Sequence, residues 1–143
     1  MALALAEARA AAARGEVPVG AVVVDADGAV LAQAGNRTEA DSDPSAHAEI
    51  LALRAAGAAR GAPRLPDCDL YVTVEPCAMC AAAISFARIR RLYFGAGDPK
   101  MGAVEHGPRF FRQPTCHHAP EVYGGIGESE AAALMRDFFK ERR

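Results

Sequence analysis

An α/β fold, with a sheet layered between helices, is predicted from three observations. Strand-like segments alternate with helical ones along the second half of the chain, and strands separated by helices pair in parallel through right-handed crossovers. One pair of strand-like segments is joined by the tight turn Asp27-Gly28, the mark of a hairpin. Finally, 143 residues with 51% hydrophobic and 24% charged content suit one ordinary globular domain, residues 1–143. A chain of this length buries roughly 70% of its unfolded surface, enough for a self-sufficient core. Disorder is excluded as the main theme.

The elements follow in order. Leu3 to Arg14 reads as a helix stopped by Gly15. Its Ala/Leu-rich start is unlike a secretory leader, because Glu7 and Arg9 interrupt it and no basic region precedes it. The apolar run is also too short to cross a bilayer, so a cytoplasmic protein with no membrane partner is expected. Val19 to Val24 and Ala29 to Ala34 form the hairpin, and Asn36 to Asp43 is a polar loop. Asp43-Pro44 reads as an N-cap followed by the first residue of a helix through about Ala59, with Ile50 and Leu53 inward. The Gly/Pro-rich run Gly57 to Pro66 is a loop, and Asp69 to Val74 is a strand that Glu75-Pro76 breaks. Cys77 to Arg88 is helical, and Ile89 to Ala96 is the next strand. Gly97 to Pro120 carries four prolines and the Phe110-Phe111 pair, an irregular segment long enough to suggest function. Glu128 to Arg143 closes the chain as an amphipathic helix with Leu134 and Phe138 inward.

Sixteen Lys+Arg against eighteen Asp+Glu give a net charge of -2, which excludes a broad duplex-DNA surface. The charge is uneven, however. Residues 1–72 hold six basic and ten acidic side chains, and residues 73–143 hold ten and eight. The basic excess includes Arg88, Arg90, Arg91, Lys100, Arg109 and Arg112, enough for a small patch that grips one nucleic-acid loop.

Four cysteines (Cys68, Cys77, Cys80, Cys116) are too few and too unevenly spaced for a disulfide framework. Cys77 and Cys80 share one face of a helix's first turn and can chelate one ion. The positive end of the helix dipole favours their thiolates. His47, near the start of its own helix, offers a third, nitrogen ligand. A Cys₂His set leaves a fourth position open for water and suits zinc. A lone Cys-x-x-Cys also fits a redox pair, and a structural zinc completed by Cys116, His117 or His118 is a further alternative. Glu49 separates these readings, because a carboxylate beside a metal-bound water is what hydrolysis needs.

His47-Ala48-Glu49, then 26 residues, then Pro76-Cys77-Ala78-Met79-Cys80 resembles the signature of zinc-dependent nucleobase deaminases. Beyond it, the stretches Glu16 to Val22, Gly35-Asn36-Arg37, Ala46 to Leu53, Leu70 to Cys80, Phe94-Gly95-Ala96, Asp98-Pro99-Lys100 and Asp137-Phe138-Phe139 resemble the bacterial tRNA-specific adenosine deaminases. That resemblance implies a three-layer α/β/α domain of the cytidine-deaminase type with a central mixed sheet of about five strands. It implies one Zn²⁺ per subunit held by His47, Cys77 and Cys80, with Glu49 shuttling protons. It also implies substrate contacts at Val17, Asn36, Ala48 (through its backbone), Pro76, Asp98 and Lys100. The expected reaction is conversion of the wobble adenosine to inosine in the anticodon stem-loop of an arginine tRNA, by a homodimer. The helix face Ala81-Ala82-Ala83-Ile84-Phe86 is the candidate subunit contact.

Cytosine and guanine deaminases share the His-Ala-Glu core, so deamination of a free base or small nucleotide stays open. A structural-zinc RNA-binding module without turnover is the reading from another class. Plainer roles stand beside each residue: Asn36 as a turn residue, Asp98 as a loop starter, both Phe pairs as core, Cys68 as inert, and Arg88, Arg90 and Arg91 as a solvated face.

Overall fold

The computed structural model describes residues 1–142. In chain order the elements are α1 (Ala2–Ala13), β1 (Gly20–Val24), β2 (Val30–Gly35), α2 (Ala48–Arg60), β3 (Asp69–Val74), α3 (Ala78–Phe86), β4 (Arg91–Ala96), a 3₁₀ turn at Phe110–Arg112, β5 (Glu121–Tyr123) and α4 (Glu128–Lys140). The strands form one five-stranded sheet in the order β2-β1-β3-β4-β5. Helices α1 and α4 cover one face, and α2 and α3 the other. The expected three-layer α/β/α architecture with a mixed sheet is therefore present.

The pairing is only partly parallel. β3, β4 and β5 run parallel, as alternation with helices predicts. β1 is antiparallel to both of its neighbours. The reason is that α2 carries the chain from β2 across β1, so β3 lands on the far side of β1 and parallel to β2. The carboxyl ends of β2, β3 and β4 thus share one edge of the sheet.

Three local expectations change. α2 begins at Ala48 with His47 as its N-cap, not at Asp43-Pro44. Asp43 instead accepts bonds from the Ser45 N–H and Ser45 hydroxyl at 2.8 and 2.7 Å, an Asx-type turn that uses up its capping capacity. At its other end α2 continues through Gly57 to Arg60, and Gly57 to Pro66 is a loop only beyond Gly61. The short strand β5 lies within a segment where a single buried-type residue, Val122, offers no readable alternation.

The main core lies between the sheet and α2/α3. Leu70, Val72 and Val74 of β3 and Leu92 and Phe94 of β4 meet Ala52, Leu53, Ala56 and Ile84 there. On the opposite face, residues of the other parity include Tyr71, Tyr93 and Tyr123, which pair in register across β3, β4 and β5 and stack at 4.5 and 5.1 Å.

α1 lies unusually close to this face. Its buried side is almost entirely alanine (Ala4, Ala8 and Ala11, all fully buried), and it crosses the sheet where Gly20 pairs with Gly35. A Cβ on Gly20 would stand 1.9 Å from the Ala4 carbonyl oxygen, and one on Gly35 would stand 2.8 Å from that of Glu7. Backbone meets backbone, so neither neighbour can yield by changing rotamer. Gly20→Ala is expected to destabilise the fold by about 3 kcal/mol and lower the thermal midpoint by roughly 10 °C, measured by calorimetry.

Candidate metal centre

Two helix N-termini meet at the carboxyl edge of the sheet. His47 and Cys77 are the N-caps of α2 and α3, both in extended conformation (φ -73°, ψ 151° and φ -73°, ψ 176°). Cys80 is the third residue of α3 and is buried. His47 Nδ1 lies 3.6 Å from Cys77 Sγ and 3.6 Å from Cys80 Sγ. All three donor atoms fall within 4.8 Å of one another. A tetrahedral zinc with its usual Zn–N and Zn–S bond lengths separates N from S by about 3.6 Å, so this donor set fits the ion in both chemistry and spacing.

The electrostatics favour a cation. Cys77 is pulled down to about 4, first by the hydrogen bond from Cys80 and then by the one with His47, against the opposing effect of burial. Cys80 is pushed up by its bond to the Cys77 thiolate and by burial. His47 is raised, chiefly by Cys77. The Cys77 sulfur therefore favours its thiolate form, and both helix dipoles point their positive ends toward it.

Glu49 is the second residue of α2 and only 4% exposed. In a regular helix it would not share a face with His47. Because His47 is an extended N-cap rather than a helical residue, the two side chains converge on one site. Burial raises the Glu49 carboxyl above its ordinary range, and Cys77 adds to this, while His47 and Cys80 oppose it. A proton-hungry carboxyl therefore lies against the Cys80 thiol.

Two other buried carboxylates hold the loops that rim this site. Glu16, 2% exposed, accepts from the backbone N–H groups of Glu39 and Ala40 (3.2 and 2.8 Å) and from the Thr38 hydroxyl. Burial opposes its charge, yet these donors hold it below the usual range. Arg14 meanwhile donates to the Asn36 carbonyl at 3.0 Å. Glu75 accepts from the backbone of Asp98, Val104, Glu105 and His106, and they too outweigh burial and keep it low.

Of the residues named from the sequence, the structure brings His47, Glu49, Cys77 and Cys80 together. Asn36 is buried and uses its Oδ1 to accept the Ala48 N–H at 2.8 Å, satisfying the first donor of α2. Val17 is half-buried on the edge of the core. Pro76 is buried, and its carbonyl accepts the Ala103 N–H. Asp98 closes its own turn, Oδ1 accepting from the Lys100 and Met101 N–H groups, so the loop-starter role is real. The Lys100 side chain is exposed.

Two other expectations do not survive: Arg88, Arg90 and Arg91 as part of a nucleic-acid patch, and Cys116 or His118 as a further metal ligand. Arg90 and Arg91 lie at the opposite end of β4 from the metal site, since Arg91 pairs with Asp69 while Ala96 pairs with Val74. They are also engaged by Asp69 and Glu121. Arg88, past the far end of α3, donates to the Ser85 carbonyl. Cys116 and His118 do not approach the metal donors: the Cys116 thiol and the Ser85 hydroxyl both donate to the His118 carbonyl, and His118 Nε2 meets the Ile89 carbonyl at 2.7 Å. They anchor the long loop instead. Cys68 is fully buried and pushed up to about 11, first by burial, in keeping with inertness. Phe111 packs on the core and Phe138 is buried, whereas Phe139 is 45% exposed. Sequence reading missed Glu16 and Glu75. The one available signal was a carboxylate set in an otherwise apolar run, GEVPVG and LYVTVEP.

The fold and the site define a zinc-type deaminase: the chain belongs to the cytidine and deoxycytidylate deaminase family, whose zinc-binding region matches residues 1–96. Its particular kinship is with tRNA-specific adenosine deaminases. It is 65% identical over 143 residues to the one from Agrobacterium fabrum, covering 100% of this chain and 93% of the relative. It is 46% identical over 141 residues to the one from Rickettsia bellii, covering 98% and 97%. A structure solved in a study of A-to-I editing by tRNA:A34 deaminases at the wobble position superposes with a TM-score of 0.92 at 66% identity, covering 94% of this chain and 96% of that one. The guanine deaminase from Nitrosomonas europaea is a more distant likeness, with a TM-score of 0.82 and 25% identity over 96% of this chain and 81% of that one.

Wild-type protein dialysed after zinc loading is expected to retain one zinc per chain by elemental analysis, and Cys80→Ala to lose it. A fully metallated Cys80→Ala protein would contradict the ligand set.

Proposed function

We propose that this chain, acting as one domain over residues 1–143, hydrolytically deaminates the wobble adenosine of a tRNA anticodon loop to inosine, with an arginine tRNA as the substrate. The observation that carries the reading is the convergence of His47, Cys77 and Cys80 with the buried Glu49 at two facing helix N-termini. Deamination replaces the C6 amino group of adenine by oxygen from water and releases ammonia. Zinc, one per subunit, would supply a water whose pKa is lowered toward neutrality. Glu49 takes one proton from the water as the C6–O bond forms and delivers it to N1; it then takes the second proton from the new C6 hydroxyl and passes it to the amino group, which leaves as ammonia as the C6–N bond breaks. Its raised proton affinity suits both halves of that cycle.

Access follows from the rims. Val17 packs against the entering base, the Asn36 amide nitrogen is left to face it, and Ala48, Pro76 and the Asp98 turn complete the wall. Lys100, Arg109 and Arg112 are exposed along the loop after β4 and meet RNA phosphates. An anticodon loop is single-stranded, so extruding its base avoids much of the few kcal/mol that flipping from a duplex requires. No described helix is long and apolar enough to cross a membrane. Acting on tRNA, the enzyme works in the cytoplasm.

The chain works as a homodimer. Ala81 and Ile84 point into its own core, so only part of the expected α3 face is available. Met79 and Phe86, 37% and 69% exposed, form the outward stripe with Ala83. Phe86 borders an apolar groove lined by Leu53, Gly57 and Pro63.

The purified protein should form inosine in an anticodon stem-loop bearing a wobble adenosine and release no ammonia from guanine or cytosine. Ammonia from a free base alone would overturn the RNA reading. Glu49→Gln should keep its zinc and lose about 10³-fold in turnover, read as single-turnover inosine formation. Phe86→Asp should sediment as a monomer where the wild type sediments as a dimer.

A further inference from the structure

The loop between β4 and the 3₁₀ turn is closed on itself by one buried carboxylate. Glu75 Oε2 accepts the N–H groups of Val104, Glu105 and His106 at 3.1, 2.9 and 3.1 Å. Glu75 Oε1 accepts the Asp98 N–H at 3.0 Å and faces His106 Nδ1 at 2.6 Å. Its side chain is fully buried, while that of His106 is 38% exposed. Among the described residues His106 therefore supplies the one side-chain donor to this carboxylate.

The closure is tight. A Cβ on Gly102 would stand 2.5 Å from the carboxylate and 2.4 Å from the Asp98 carbonyl oxygen. It is also coupled to the metal site, because Glu75 and Pro76 lead directly into Cys77, and the Pro76 carbonyl takes the Ala103 N–H at 2.9 Å. The oxygen that holds the first N–H of the loop, Asp98, is the one His106 holds from its far end. Without the imidazole, Oε1 keeps one donor and is open to water at the point where the Asp98–Lys100 turn hangs.

We propose that His106, acting through Glu75, is a positioning residue that latches the 97–106 loop and so sets the Asp98–Lys100 turn for RNA. This rests on the RNA reading above for its substrate, and on the loop geometry alone for the latch. The effect belongs in substrate binding, since His106 does not touch the zinc donors or Glu49.

The test compares wild type, His106→Ala and His106→Asn, the last placing an amide N–H where Nδ1 stands. His106→Ala should raise KM for the stem-loop about tenfold with kcat changed less than about twofold. Bound zinc should be unaltered, and amide hydrogen exchange at Asp98 and Val104 should accelerate. His106→Asn should restore both the KM and the slow exchange. Unchanged exchange and KM in His106→Ala would overturn the latch, as would an equal fall in kcat that His106→Asn fails to rescue. If the wild type forms no inosine, the RNA reading fails, while exchange at Asp98 and Val104 still decides the latch.

Discussion

The meeting of two helix N-termini at one edge of the sheet is the constraint on which the rest depends. It exists because β2, β3 and β4 all point their carboxyl ends to the same side, so the helices that follow β2 and β3 must both begin there. Each helix needs an extended residue before its first turn, and here those residues are His47 and Cys77. An N-cap side chain is free of the helical direction, which lets it aim across the gap. Beyond the Ala48 N–H that Asn36 takes, the first-turn N–H groups of both helices add positive potential at the same point. Donor direction, thiolate formation and affinity for a cation thus share one geometric origin.

Three buried carboxylates surround this point, and their environments separate their roles. Glu16 and Glu75 are wrapped in N–H donors, which hold the charged form despite burial. They organise backbone, fixing the loops on either side of the cleft. Glu49 has no comparable set of donors, so burial prevails and its proton affinity rises. Similar groups in divergent surroundings thus differ in proton affinity, and that difference is what the proposed role of Glu49 rests on. The arginines divide as well: Arg90 and Arg91 are spent on Asp69 and Glu121 at the far end of β4, whereas Lys100, Arg109 and Arg112 are exposed on the loop after it.

Much of the site was legible in the sequence because its chemistry is carried by rare residue types at fixed local spacing. Cys77-x-x-Cys80 and His47-x-Glu49 each report a helix start, and the site motif joins them across 26 intervening residues. Strand β3 was legible to the residue, since β-branched and apolar side chains run without a break from Leu70 to Val74. The start of α2 was not, because Asp43-Pro44 is chemically as good a cap as any. Tertiary pairing decided otherwise, when Asn36 took the Ala48 N–H and Ser45 took Asp43. β5 was invisible for a similar reason: three residues hold a strand only because β4 offers an unpaired edge.

By itself, then, the sequence determined the candidate His47, Cys77 and Cys80 cluster with Glu49 beside it, the layered α/β class and the family resemblance, all properties of residue identity and short-range spacing. Only the tertiary structure decided that β1 runs against β3, that α1 presses on Gly20 and Gly35, and that Glu16 and Glu75 hold the cleft rims. Those facts depend on which backbone groups, and which buried polar side chains, meet across separations from 16 residues (Ala4 to Gly20) to 53 (Gly20 to Thr73). Such meetings are set by the competition for hydrogen-bond partners inside a packed core, and no local pattern of side chains records its outcome.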